Sequence, residues 1–139
     1  SSIEYGTDTT RAIMGIAFNG DAVRYPDIRF IWSHAGGSVP FLAGRIDRAG
    51  NRAKEALPNG FSAELKKFYY DVAGATNRGA LVSLLELVET SQIVFGTDFP
   101  PGGTSSTIAR DLADTGLFSE SDLRAIDRDN AVRLFPRFA

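Results

Sequence analysis

Apolar positions along the chain follow two alternating periods. Ile13, Ile16, Ala17, Gly20 and Val23 share one face of a helix expected over residues 9 to 24, behind a Thr7-Asp8 cap and stopped by Pro26. The next run, Ile28 to Ser33, is short and rich in branched and aromatic residues, which suits a strand. It enters His34-Ala35-Gly36-Gly37, where paired glycines break the ladder and open a loop. Ser38 then caps a helix with Pro40 in its first turn and Phe41, Leu42, Arg45 and Ile46 at helical spacing. That helix is expected to fade between Gly50 and Leu57, ahead of Pro58-Asn59-Gly60.

The order then repeats. Ser62 to Lys67 predicts a short helix, Phe68 to Val72 a strand, and Ala80 to Val88 a helix with Leu81, Leu84, Leu85 and Val88 facing inward. Ile93 to Thr97 predicts a third strand, ended by Asp98-Phe99-Pro100-Pro101-Gly102-Gly103, because proline cannot extend a ladder. Helices over Ser105 to Thr115 and Ser119 to about Phe135 close the chain, the last with a break near Asp129. Strands alternating with helices imply an α/β fold with a parallel sheet and right-handed crossovers. Three strands are too few for a closed (β/α)8 barrel, which takes eight strands and about 250 residues. Residues 1–139 therefore read as one partial domain, either a free three-stranded unit or the C-terminal part of a barrel.

Composition narrows the functional classes. The 139 residues are 43% hydrophobic and 23% charged, values of a folded chain rather than a disordered one. Fifteen Lys and Arg against seventeen Asp and Glu give a net charge of -2, without the basic excess that binding nucleic acid requires. Cysteine is absent, which removes disulfides, thiolate metal sites and a cysteine nucleophile. No apolar run approaches the roughly 20 residues of a membrane-spanning helix, and the polar start Ser1-Ser2-Ile3-Glu4 does not read as a signal peptide. No membrane partner is expected, and a cytoplasmic location follows by default.

In parallel α/β folds reacting groups gather at the C-terminal strand ends. His34, Asp71 and Asp98 hold those positions. Asp98 ends an apolar strand, so its carboxylate needs either the amides of the following turn or a metal ion. His34, the one histidine of the chain, suits a metal ligand, a general acid or base, or a core residue bonded through both ring nitrogens. Asp71 reads as an acceptor for loop amides, and Arg45 as a surface helix charge. No dinucleotide fingerprint, phosphate-binding P-loop or nucleophile elbow occurs.

Four segments together carry a resemblance: Ile31-Trp32-Ser33-His34-Ala35-Gly36-Gly37 running through Pro40, Gly44 and Arg45 to Arg48, then Tyr69-Tyr70-Asp71-Val72-Ala73-Gly74, Ile93 to Pro100, and Asn130 to Phe135. In order and spacing they resemble the sixth, seventh and eighth strand segments and the terminal helix of the amidohydrolase-2 family. The branch they are most similar to contains the aminocarboxymuconate-semialdehyde, γ-resorcylate and 6-methylsalicylate decarboxylases. The resemblance implies the C-terminal part of a (β/α)8 barrel, about strands six to eight, and nonoxidative decarboxylation of an aromatic or muconate-type carboxylic acid. Hydrolysis by the same superfamily and a noncatalytic barrel fragment are the alternatives.

By residue, the resemblance assigns Asp98 as metal ligand and as a catalytic group able to relay a proton. It assigns His34 as the catalytic histidine that donates a proton or orients a water, and Arg45 as a substrate-carboxylate contact made across a homodimer interface. It implies a divalent metal, zinc first and manganese second. The other expected partners are a small-molecule carboxylic acid and an N-terminal barrel half, which in relatives carries the metal-binding histidines of strands one and five. This chain alone is expected to be inactive. Pro101 departs from the apolar or aromatic residue that many relatives carry after Phe-Pro.

Overall fold

The computed structural model describes residues 2–50 and 53–139. Three parallel strands lie side by side in chain order among them: β1 (Ile31–Trp32), β2 (Tyr69–Asp71) and β3 (Ile93–Val94). Ile31 pairs with Tyr69 and Trp32 with Tyr70, and on the other side Tyr70 pairs with Ile93 and Asp71 with Val94. Between β1 and β2 run α3 (Val39–Gly50) and α4 (Phe61–Leu65), and between β2 and β3 runs α5 (Arg78–Leu85). Ahead of β1 stand α1 (Glu4–Phe18) and α2 (Asp21–Arg24). After β3 come α6 (Ser105–Asp114), α7 (Glu120–Arg124) and α8 (Asn130–Leu134). No helix among the described residues is long and apolar enough to cross a membrane.

The expected alternation holds, with shifted boundaries. The ladder keeps only two or three residues per strand, with β1 and β3 each paired on one side among the described residues. The single helix expected over residues 9 to 24 is two helices. Gly20 adopts φ +74° between them, a left-handed conformation that glycine takes without strain and that an α-helix cannot continue through. Nor does α1 start behind Thr7-Asp8. It starts at Glu4, and the Thr7 hydroxyl donates back to the Ile3 carbonyl within the first turn. The expected fade of α3 between Gly50 and Leu57 falls partly on residues 51 and 52, outside the described residues. The closing helix is interrupted, as expected, by a π-helical turn over Ala125–Asp129 that joins α7 to α8.

Two side-chain amides set the strand starts, at the end of the sheet away from the three loops. Gln92 Nε2 donates to the carbonyls of Lys66 (2.6 Å) and Phe68 (2.7 Å) just before β2. Asn130, 1% exposed, donates from Nδ2 to the carbonyls of Thr90 (2.8 Å) and Ile93 (2.6 Å) at the start of β3. Burying an amide without partners is costly, so these bonds dictate where α8 docks. The core is continuous across both layers: Ile13, Phe61, Leu65, Tyr70, Leu81 and Leu84 are fully buried. The Trp32 indole stacks on Phe30 at 5.7 Å, and its Nε1 is buried with no hydrogen-bond partner among the described residues.

Candidate active site

The loops that follow the three strands converge, and each departs from ordinary backbone geometry. After β1 the chain takes four consecutive left-handed residues, with φ +55° at His34, +54° at Ala35, +77° at Gly36 and +63° at Gly37. Glycine suffers nothing in that region, whereas each non-glycine residue costs on the order of 1–2 kcal/mol. Both glycines are also needed for space. A Cβ on Gly36 would lie 2.9 Å from the Tyr70 ring, and one on Gly37 would collide with the Gly6 carbonyl oxygen.

Asp71, at the end of β2, holds this turn in place. Its Oδ1 accepts the backbone N–H of His34 at 2.8 Å and that of Ala73 at 3.0 Å. The Ala73 carbonyl oxygen lies 2.8 Å from His34 Nδ1. A carbonyl can only accept, so Nδ1 carries the hydrogen and Nε2 is the ring atom free to bond elsewhere. Burial pushes the Asp71 carboxyl above the ordinary carboxylate value, and the Asp98 charge adds to that, while the two amides and the His34 charge pull it down. The reading of Asp71 as an acceptor for loop amides is thus borne out. It bonds the amides of two loops.

Asp98 stands just past β3 with φ +57°. Its side chain does not cap the turn. The Phe99 amide donates to Thr97 Oγ1 (3.2 Å), the Gly102 amide to the Asp98 carbonyl (2.7 Å) and the Gly103 amide to the Thr97 carbonyl (2.9 Å). The Asp98 carboxylate is exposed and makes no hydrogen bond or ion pair with the described residues, which leaves its oxygens available for a cation or substrate. His34 is half-buried, so it is not a core histidine bonded through both nitrogens.

His34 and Asp98 line one open cleft of about 550 Å³, together with Tyr5, Gly37, Gly74 and Asn77. Pro101 lies on its rim. Arg45 is not among the lining residues. It is exposed on α3 and makes no ion pair with the described residues, Asp47 and Glu55 included. The structure thus brings His34 and Asp98 together and leaves Arg45 apart. Sequence reasoning missed Gly74 and Asn77. Gly74 packs under the imidazole, where an added Cβ would meet Nδ1 at 3.5 Å, and its place after Asp71-Val72-Ala73 was the available signal. Among the described residues no three His, Asp or Glu side chains converge as a metal site.

The amidohydrolase family profile matches residues 4–137. The chain belongs to the amidohydrolase family. Relatives of this amidohydrolase chain include a decarboxylase of Aspergillus niger, 33% identical, covering 98% of this chain and 39% of that protein. The 6-methylsalicylic acid decarboxylase of Penicillium expansum is 30% identical, covering 96% of this chain and 43% of that protein. The chain therefore spans about two fifths of the length of the curated relatives it matches. Among solved structures, an amidohydrolase II superposes with a TM-score of 0.82 at 28% identity, over 93% of this chain and 42% of that one. The dihydroxybenzoic acid decarboxylase of Polaromonas sp. JS666, crystallised with manganese and an inhibitor, shares the fold with a TM-score of 0.80 at 24% identity, over 96% of this chain and 41% of that one. The three-stranded unit is thus a portion of a larger amidohydrolase fold.

Proposed function

We propose that this amidohydrolase chain is the C-terminal part, about strands six to eight, of a (β/α)8 barrel that removes carbon dioxide, without oxidation, from an aromatic or muconate-type carboxylic acid. The observation that carries this reading is the pairing of an unbonded Asp98 carboxylate with the free His34 Nε2 along one cleft, in a chain about a third identical to curated decarboxylases. Asp98 fits a divalent metal: it is a hard anionic donor, exposed, and spent on no amide of its own turn. Bound there, such an ion supplies electrostatic stabilisation for the charge that develops as the carboxylate leaves. Zinc is the expected ion, and manganese, the ion held by the Polaromonas neighbour, is the alternative.

Decarboxylation breaks the bond between ring carbon and carboxylate, leaves the electron pair on that carbon, and requires one proton there. His34 Nε2 is placed to deliver or hold this proton while Nδ1 stays bonded to Ala73. Arg45, outside the cleft of its own chain, serves the substrate carboxylate of a second copy in a homodimer, where its planar fork suits a bidentate contact.

The test uses the protein at its natural length, with zinc or manganese, and 6-methylsalicylate, 2,6-dihydroxybenzoate and an aryl ester as probes. Release of carbon dioxide is expected, with deuterium incorporated at the former carboxyl-bearing carbon in D2O. Ester hydrolysis without carbon dioxide release would replace this reading with a hydrolase. Asp98→Ala is expected to lose metal and activity together. His34→Gln is expected to keep its metal and lose activity by about a hundredfold or more, the scale of one acid-base group.

A further inference from the structure

We propose that Asp71 is the positioning residue of this site: by gripping the His34 and Ala73 amides with one oxygen it locks the imidazole as an Nδ1–H donor and confines proton transfer to Nε2. The proposal deepens the decarboxylase reading and rests on its assignment of proton handling to His34.

The imidazole has two tethers, and both depend on Asp71 Oδ1. One is the histidine's own backbone, whose left-handed conformation is unfavourable without an outside partner, and the Asp71 bond is made to the N–H of that same residue at 2.8 Å. The other is the Ala73 carbonyl that receives Nδ1–H, and Ala73 is fixed through its own N–H, 3.0 Å from the same oxygen. Removing that oxygen would free both ends of the ring at once. Two glycines suit the arrangement. Gly74 takes the left-handed φ of +60° beside the imidazole, and a Cβ on Gly96, just past β3, would press on the Asp71 Cβ and Cγ at 3.0 Å. All three strand ends therefore meet at this carboxylate.

The consequence is chemical as well as geometric. While Ala73 accepts from Nδ1, the neutral ring presents a lone pair at Nε2 and the charged ring presents an N–H there. A free imidazole exchanges between its two neutral tautomers, so an untethered His34 would offer the wrong atom for part of the time. What the lock needs is an acceptor oxygen rather than a charge, and an asparagine amide oxygen at position 71 supplies one.

The experiment compares wild type, Asp71→Ala, Asp71→Ser and Asp71→Asn in the natural-length protein labelled with 15N-histidine, the His34 signals being assigned by their loss in His34→Gln. Two-bond proton–nitrogen spectra are expected to show the Nδ1–H tautomer in wild type and Asp71→Asn. Asp71→Ala and Asp71→Ser are expected to show tautomer exchange. In parallel, kcat is expected to fall at least tenfold in Asp71→Ala with KM changed less than threefold, and to recover in Asp71→Asn. Asp71→Ser keeps a polar side chain and serves if the alanine variant does not fold. Persistence of the Nδ1–H tautomer in a folded Ala or Ser variant, or its absence from wild type, would overturn the proposal. A wild type that shows the locked tautomer but releases no carbon dioxide would instead reject the decarboxylase reading and leave the tether standing.

Discussion

Gly36 and Gly44 are both glycines in or near helical segments, and their surroundings predict opposite responses to the same added methyl group. Gly36 has φ +77°, and its Cβ would sit 2.9 Å from Tyr70, a fully buried ring whose hydroxyl donates to the Leu65 carbonyl at 3.0 Å. Left-handed strain and overpacking add there, so Gly36→Ala should cost about 2–4 kcal/mol. Gly44, within α3, has nothing within 4 Å of its added Cβ, and Gly44→Ala should stabilise by up to about 1 kcal/mol. Urea unfolding of the two variants beside wild type checks both signs. At this scale the sequence was informative about residue type and uninformative about partners. Asp71 at a strand end was legible as an acceptor for loop amides, but nothing in the local sequence says that one of those amides lies 37 positions earlier. At Asp98 local turn preferences pointed to capping, and the caps come instead from Thr97 and from backbone carbonyls, which is what leaves the carboxylate free.

Local capping chemistry made some helix starts legible and not others: the closing helix was expected from Ser119, where it begins, whereas α5 was expected from Ala80 and begins at Arg78 behind an Asn77 cap. Ser119 opens α7 as a reciprocal box: its hydroxyl and amide donate to Asp122 Oδ2 at 2.6 and 3.0 Å, while the Asp122 amide donates back to Ser119 Oγ at 3.1 Å. Those bonds from Ser119 hold the Asp122 carboxyl below its ordinary value. With the folded value lowered, the unfolded chain binds the extra proton first, so the box stabilises above about pH 4, the range of an unperturbed carboxyl, and that contribution is lost as pH falls through the lowered value. Ser119→Ala should therefore cost about 1 kcal/mol at pH 7 and clearly less near pH 2. Thermal melts at the two pH values measure the difference, and an equal loss at both would reject the pH dependence. Other boundaries were less legible. The helix expected over residues 9 to 24 breaks at Gly20, whose left-handed φ of +74° no apolar period marks, and the strands are shorter than their apolar runs because ladder length depends on neighbours that no local pattern reveals.

On the scale of the whole molecule, the sheet is open at both edges among the described residues, and β1 borders a surface on which Ile28 is 53% and Ile31 40% exposed. The alternation of strands and helices predicted this parallel layout, whereas its place in a larger fold came from four spaced segments and from relatives of which the chain spans about two fifths. The same incompleteness governs the metal. A catalytic site of this kind usually takes three or more protein ligands. In this span Asp71 Oδ1 is committed to two amides and His34 Nδ1 to a carbonyl, and no group of three acidic or imidazole side chains converges among the described residues. Asp98 is the proposed metal ligand, with His34 Nε2 reserved for the proton, and each ligand omitted forfeits binding free energy. Residues 1–139 produced alone should therefore bind zinc or manganese with a dissociation constant of about 100 μM or weaker, which is at most about 5.5 kcal/mol. The natural-length protein should bind at least a hundredfold more tightly. Isothermal titration of both, with Asp98→Ala as the blank for site-specific heat, decides it: tight, stoichiometric uptake by residues 1–139 that vanishes in Asp98→Ala would mean that this span holds a complete metal site by itself.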